Sequence, residues 1–254
     1  MSRSVPVASA ALLGLAAVFL VGSAAPATKK PLDLQLSAGA RVGVVSLLDA
    51  EVTHFHASRQ LQNSFLKTYT ASWPVSAMLL AAVQGGLTQR GLVALPLGAS
   101  EELSRARENC FLDAELAKGL PQPCAAPFAK LAAAQHVDAL IVLAPGRNDP
   151  AHAGGARHRE LPEYLRGWCF VSGEGGAAPT LLSLTELLLI GVVPAGVQLA
   201  DREWGGDGQS WTGFSPAPDL RQIPAEQLAQ LQPLFAAMLQ RQADALLSHL
   251  QVSR

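Results

Sequence analysis

The stretch Ser72–Pro96, SWPVSAMLLAAVQGGLTQRGLVALP, decides the fold class. Ser72 can cap a helix, and Pro74 suits a first turn, where no backbone donor is needed. Val75, Met78, Leu79, Ala82, Val83 and Leu87 then recur at helical spacing and form one apolar face. Gly91 closes the helix, and Leu92-Val-Ala-Leu-Pro96 reads as a strand. Upstream, Arg41–Leu48, RVGVVSLL, is a continuous apolar run rich in β-branched residues, the mark of a buried strand. A strand, a helix and a strand at this spacing make a crossover unit with parallel pairing.

Working outward, Glu51–Ala57 reads as a second strand, hairpin-paired with the first through Asp49-Ala50, and residues 58–71 as polar and irregular. Ser100 opens another helix, with Glu101 and Glu102 at its positive end, which Gly119 and Pro121 stop. A further helix over Ala125–His136 feeds Val137–Ala144, VDALIVLA, a fully apolar strand. Residues 146–167 form a long loop rich in Gly, Arg, His and Pro. Trp168–Ser172 is a short strand. Leu181–Val193 and Val197–Trp204 form a hairpin across Pro194-Ala195-Gly196. After a Gly/Ser/Pro linker over 205–218, an amphipathic helix runs from Pro224 to Val252, with Pro233 as an expected kink. The expected fold is therefore α/β: one domain over residues 41–252, a mixed sheet with a parallel centre and antiparallel hairpins, and helices covering it.

Composition narrows function mainly by exclusion. The chain has 254 residues, 49% apolar and 15% charged, with net charge −1, enough apolar content for a real core. Without a basic face or a Lys/Arg run there is no footprint for nucleic acid. Arg3 is followed by no charge until Lys29, and Ala11–Val21 is an apolar core trailed by small residues. That order is a secretory signal over residues 1–27, cut after Ala24 or Ala27 and followed by a linker over 28–40. The competing reading is an uncleaved anchor, because the uncharged stretch is long enough to span a bilayer and Lys29 and Lys30 just beyond it sit awkwardly for export; the Ala/Gly/Ser-rich tail, which lowers the hydrophobicity, favours the signal. Either way the expected location is outside the cytoplasm, periplasmic or secreted in the first case and membrane-anchored in the second. Cys110 and Cys124 are disulfide candidates in such a compartment, with Cys169 left as a buried thiol; three free buried cysteines are the other reading.

Candidate chemistry is sparse. On a regular strand Val52, His54 and His56 share one face and Glu51, Thr53 and Phe55 the other, so two imidazoles can meet one ion. Catalytic zinc wants a third protein ligand, which only His152 or His158 in the long loop could supply among the histidines. The plainer reading is two half-exposed strand residues. Ser172-Gly-Glu-Gly-Gly176 lacks a following helix and a P-loop lysine, and no G-x-S-x-G elbow exists. Asp201, Glu203 and Asp207 form an acidic cluster at a strand end. Arg147, Arg157, Arg159 and Arg166 make the long loop locally basic. Trp204, Trp211 and Phe214 are aromatics that either anchor a partner or fold back on the core.

The order of elements, carried by RVGVVSLL, VDALIVLAP and LTELLLIGVVPAGVQLADREW, resembles periplasmic domains of envelope-assembly proteins. These are curli-export lipoproteins, lipoprotein activators of penicillin-binding proteins, and the N-terminal domain of the Tol-system propeller protein. The opening strands also resemble those of uncharacterised secreted proteobacterial proteins. The chain lacks the lipidated Cys of the lipoproteins. The resemblance supplies no activity. The export signal, a compact α/β domain, the lack of a catalytic constellation and the linker aromatics together lead to the expectation of an exported, non-enzymatic protein that binds another envelope protein, without a cofactor. The alternative is a small exported metal-dependent hydrolase built on His54 and His56.

Overall fold

The computed structural model describes residues 34–111, 119–146, 161–162, 165–174, 178–206, 208–216 and 219–253. In chain order the strands and helices are β1 (Gln35–Ser37), β2 (Arg41–Ser46), β3 (Glu51–Ala57), β4 (Phe65–Thr70), α1 (Val75–Gln89), β5 (Val93–Leu97), α2 (Glu101–Cys110) and α3 (Gln122–Gln135), followed by β6 (Ala139–Pro145), β7 (Gly167–Gly173), β8 (Thr180–Val193), β9 (Gly196–Trp204), β10 (Gly208–Ser210), α4 (Ala225–Ser248) and β11 (Gln251–Ser253). The expected mixed α/β architecture is present.

The 14-residue strand β8 is the spine of the sheet. Its C-terminal half lies between β6 and β9, and its N-terminal half between β7 and β10, all antiparallel to it. Beside β6 runs β2, then β5, in parallel. Beside β7 runs β3, in parallel, and β4 closes that side antiparallel. Two ribbons, β5-β2-β6-β8-β9 and β4-β3-β7-β8-β10, thus share one strand and part at a seam midway along it.

The seam corrects the expected hairpin between β2 and β3. A two-residue reversal needs positive φ, which Gly or Asn supplies. Residues 47–50, LLDA, contain neither, and none of them has positive φ. Leu47 and Leu48 instead pack into opposite core clusters. The connector carries the chain onward from the first ribbon into the second.

Residues 58–71, read as irregular, contain β4. The span 28–40, read as a linker, contains β1, which pairs in parallel with β11. The final helix therefore ends at Ser248 rather than Val252, and it runs through Pro233 without restarting. Ser72 does not cap α1; Pro74 occupies the N-cap. Ser100 does cap α2, its hydroxyl accepting from the Leu103 N–H at 3.1 Å.

The buried face of α1 comprises the six residues read from the periodicity. With α4 it covers one face of the first ribbon through a core that includes Val42, Ile141, Leu187 and Leu189. On the other face α2 and α3 bury Leu103, Phe128 and Ala132 against Val45, Leu140, Leu188 and Ile190. Cys110 and Cys124 are bonded to each other, with Cα atoms 5.7 Å apart, and join α2 to α3. Their separation of 14 residues gives a loop whose closure is worth about 3 kcal/mol in the chain-entropy model. Replacing both with Ser should lower unfolding free energy by about that amount in urea titration. A loss under about 1 kcal/mol would mean that helix packing alone orders this corner.

Candidate functional site

His54 and His56 point to the face of β3 that Val52 shares, where both are buried, at 0% and 6% exposure. This corrects their reading as half-exposed. Across the parallel pairing with β7, His56 stands opposite Ser172 and His54 opposite Phe170. The Ser172 hydroxyl lies 2.7 Å from His54 Nε2 and 2.8 Å from His56 Nδ1. The His54 ring stacks on Phe170 at 4.2 Å and meets the Phe65 edge at 4.9 Å. His56 stacks on Phe65 at 5.2 Å.

One hydroxyl has one proton to give, so these two contacts fix a direction when both rings are neutral. His54 Nδ1 is buried with no hydrogen-bond partner. A proton there would be an unpaired donor, costing about 1–3 kcal/mol. The proton therefore sits on Nε2 and is donated to Ser172, and Ser172 donates to His56 Nδ1. Protonating His54 would strand a donor in an aromatic box. Burial, and then the neighbouring His56, accordingly lower its pKa from 6.5 to about 4. The arrangement is a polar bolt between β3 and β7.

Metal binding would need more than this pair. Among the described residues no group of three or more His, Cys, Asp or Glu could hold an ion. The two loop histidines, His152 and His158, lie outside the described residues, as do Arg147, Arg157, Arg159, Asp207 and the segment 1–27. Of the acidic cluster, Asp201 accepts from or pairs with His249 Nδ1 at 2.9 Å, linking β9 to the end of α4. Glu203 contributes its carbonyl to Gln242 Nε2 at 2.7 Å. Cys169 is fully buried in β7, and burial pushes its thiol up to about 12, which leaves it inert.

The aromatic linker folds back. Trp211 is buried, 5.5 Å from Phe170 and 5.0 Å from Phe214, and β10 just before it pairs with β8. Trp211 thus belongs to the core, with Phe214 half-buried against it, and Trp204 packs half-buried beside Cys169, Leu182 and Leu184.

Sequence reading missed a cleft of about 270 Å³ at the seam. Its walls include Leu48, Asp49, Glu51, Thr53, Leu66, Thr68, Pro145, Arg166 and Arg107 of α2. It opens beyond the carboxyl ends of the parallel strands β2 and β6, where open α/β sheets place their ligands. Arg107 bridges to Asp49 at 2.6 Å and donates to the Leu47 carbonyl at 3.3 Å, so α2 is pinned over the connector. Leu66, at 45% exposure, is an apolar side chain on its rim. The signal was available only as the absence of a turn residue in LLDA.

No protein-family model matches the chain. No curated protein matches it. Among solved structures it is similar to the hypothetical protein CT253 from Chlamydia trachomatis, at 12% identity and a TM-score of 0.39, over 83% of this chain and 95% of that one. Among the described residues no helix is long and apolar enough to cross a membrane.

Proposed function

We propose that this chain is an exported, non-enzymatic protein of the bacterial envelope that works by binding another protein, and that the seam cleft is where it does so. The observation that carries this reading is the cleft itself, a recess with both signs of charge and an apolar rim at the point where the sheet parts. Paired Asp49 and Arg107 shape its wall, while Glu51, Thr53 and Thr68 offer polar side chains to a partner. The signal-like order of residues 1–27 supports export.

The test is photocrosslinking in cells. A photoreactive residue at Thr53 should yield a discrete adduct with an envelope protein. The same residue at exposed Glu226, at the start of α4, should not. No adduct from Thr53, or the same adduct from both positions, would sink the reading.

A further inference from the structure

Among the described residues the joined sheet has four outer strands; β10 spans only three residues, and the other three differ in how they are protected. On one side β5 carries Pro96, which has no N–H to offer a new neighbour. On another, β9 is bulged opposite Leu189/Ile190, which spoils the ladder for an added strand. The third, β4, has neither device. Its pairing with β3 is regular over all six residues, from Glu51↔Thr70 to His56↔Phe65. Its one cation, Lys67, is turned back to donate to the Arg221 carbonyl.

Which backbone groups of β4 face outward follows from one bond. Ala71 N–H donates to Ala50 O, which makes 50↔71 a hydrogen-bonded pair. Antiparallel pairs alternate, so Phe65, Lys67 and Tyr69 bond to β3. The N–H and C=O groups of Leu66, Thr68 and Thr70 point away from the sheet. Among the described residues, no backbone bond is made to them from outside the sheet.

We infer that β4 pairs with β4 of a second copy of this chain, antiparallel and centred on Thr68. A two-fold axis perpendicular to a sheet must place a residue opposite itself. Only Lys67 or Thr68 lies centrally enough in the six-residue strand to be that residue. Centring on Lys67 sets two lysines directly opposite each other, a like-charge pair, and leaves the Thr70 groups without partners within the two strands. Centring on Thr68 pairs Thr68 with itself, Leu66 with Thr70, and Lys67 with Tyr69. Every outward N–H and C=O of Leu66, Thr68 and Thr70 in both copies then finds its partner. Each Lys67, whose ammonium already lies 5.0 Å over its own Tyr69 ring, then stands opposite a tyrosine instead of a like charge. Because the axis preserves faces, both seam clefts open on the same side of the joined sheet. One strand pair buries less than a standard interface of about 1,600 Å², so the dimer is weak and forms with rising concentration. This inference does not depend on what the clefts bind.

The test is the mass of the purified protein from about 1 to 500 µM by sedimentation equilibrium, a range set by the weakness of so small an interface, together with cysteine variants. The mass should rise toward twice the chain mass. Thr68→Cys should crosslink to a covalent dimer under mild oxidant, since hydrogen-bonded pairs stand about 5.5 Å apart and disulfides span about 4.4–6.8 Å. Thr68→Pro removes an outward N–H and the exposed hydroxyl contact to Thr53 but no backbone bond to β3, so the monomer should stay folded by circular dichroism and lose the rise in mass. A constant single-chain mass with uncrosslinked Thr68→Cys would overturn the inference. So would crosslinking through Lys67→Cys instead, which would mean the other register. If Thr68→Pro does not fold, the cysteine pair decides alone.

Discussion

Between pH 7 and pH 4 the protein should lose about 3 kcal/mol of stability through His54 alone. In the folded chain its pKa is lowered from 6.5 to about 4, while the unfolded chain keeps the ordinary value. Over that window the unfolded state holds the extra proton, so unfolding is favoured as pH falls. The stabilisation is complete above about pH 6.5, is lost progressively as pH falls from there to about 4, and levels off below. The cause is geometric: a fully buried ring whose Nδ1 has no partner and whose Nε2 already donates to Ser172. Other groups titrate here too. Asp219 is held below the usual carboxylate range, mainly by the Arg221 N–H, and also favours the fold at higher pH. His54→Gln isolates the histidine, because it removes the titration and keeps a donor for Ser172. Urea unfolding at pH 7, 5.5 and 4.5 should show the native protein losing stability more steeply than the variant. Parallel curves would mean that His54 charges inside the fold without penalty.

Phe235→Ala should cost about 4 kcal/mol, the upper range for emptying a buried aromatic site. Phe235 is fully buried on α4, stacked on Trp168 at 5.3 Å and 5.8 Å from Trp73. Trp168 stands at the start of β7, and Trp73 just before α1. One ring therefore ties the closing helix to the second ribbon and to the entry of the crossover helix. Truncation leaves a cavity between elements far apart in sequence, and a helix of 24 residues cannot shift to fill it without lifting its other anchors. The expected result is a lower urea midpoint with an unchanged slope, and a weakened near-ultraviolet signal from the tryptophans. A cost below about 1.5 kcal/mol would show that α4 is seated by its flanking leucines instead.

What the sequence made legible follows burial. Continuous apolar runs became β2, β6 and β8, and the face of α1 matched its periodicity residue for residue. The missed elements are those whose patterns carry little apolar contrast. FLKTYT, which is β4, buries only Tyr69 among its six residues. QLS and QVS, the strands β1 and β11, each bury or half-bury one residue and exist only because they meet. Gln242 was passed over on the apolar stripe of α4, yet it is buried and bonds Thr185 and Glu203. The two histidines were legible as a pair on one face of β3. Their burial was not, because Phe170, Phe65 and Ser172 come from two other strands whose pairing no local pattern reveals.

The meeting of β1 with β11 gives the described residues, 34 to 253, the topology of a nearly closed ring. Gln35 lies beside Gln251 and Ser37 beside Ser253, with the Ser253 hydroxyl donating to the Leu36 carbonyl. Leu34 and Ser253 are thus about 11 Å apart, three strand residues and one strand spacing away. A linker of about five residues would join them without strain. The chain could then be reopened at the exposed turn between β8 and β9, giving a permuted polypeptide with every contact of the sheet intact. Because the two strands run parallel, the described chain enters at one end of this short ribbon and leaves at the other, about 11 Å away, so a joining linker would have to run back along the pair.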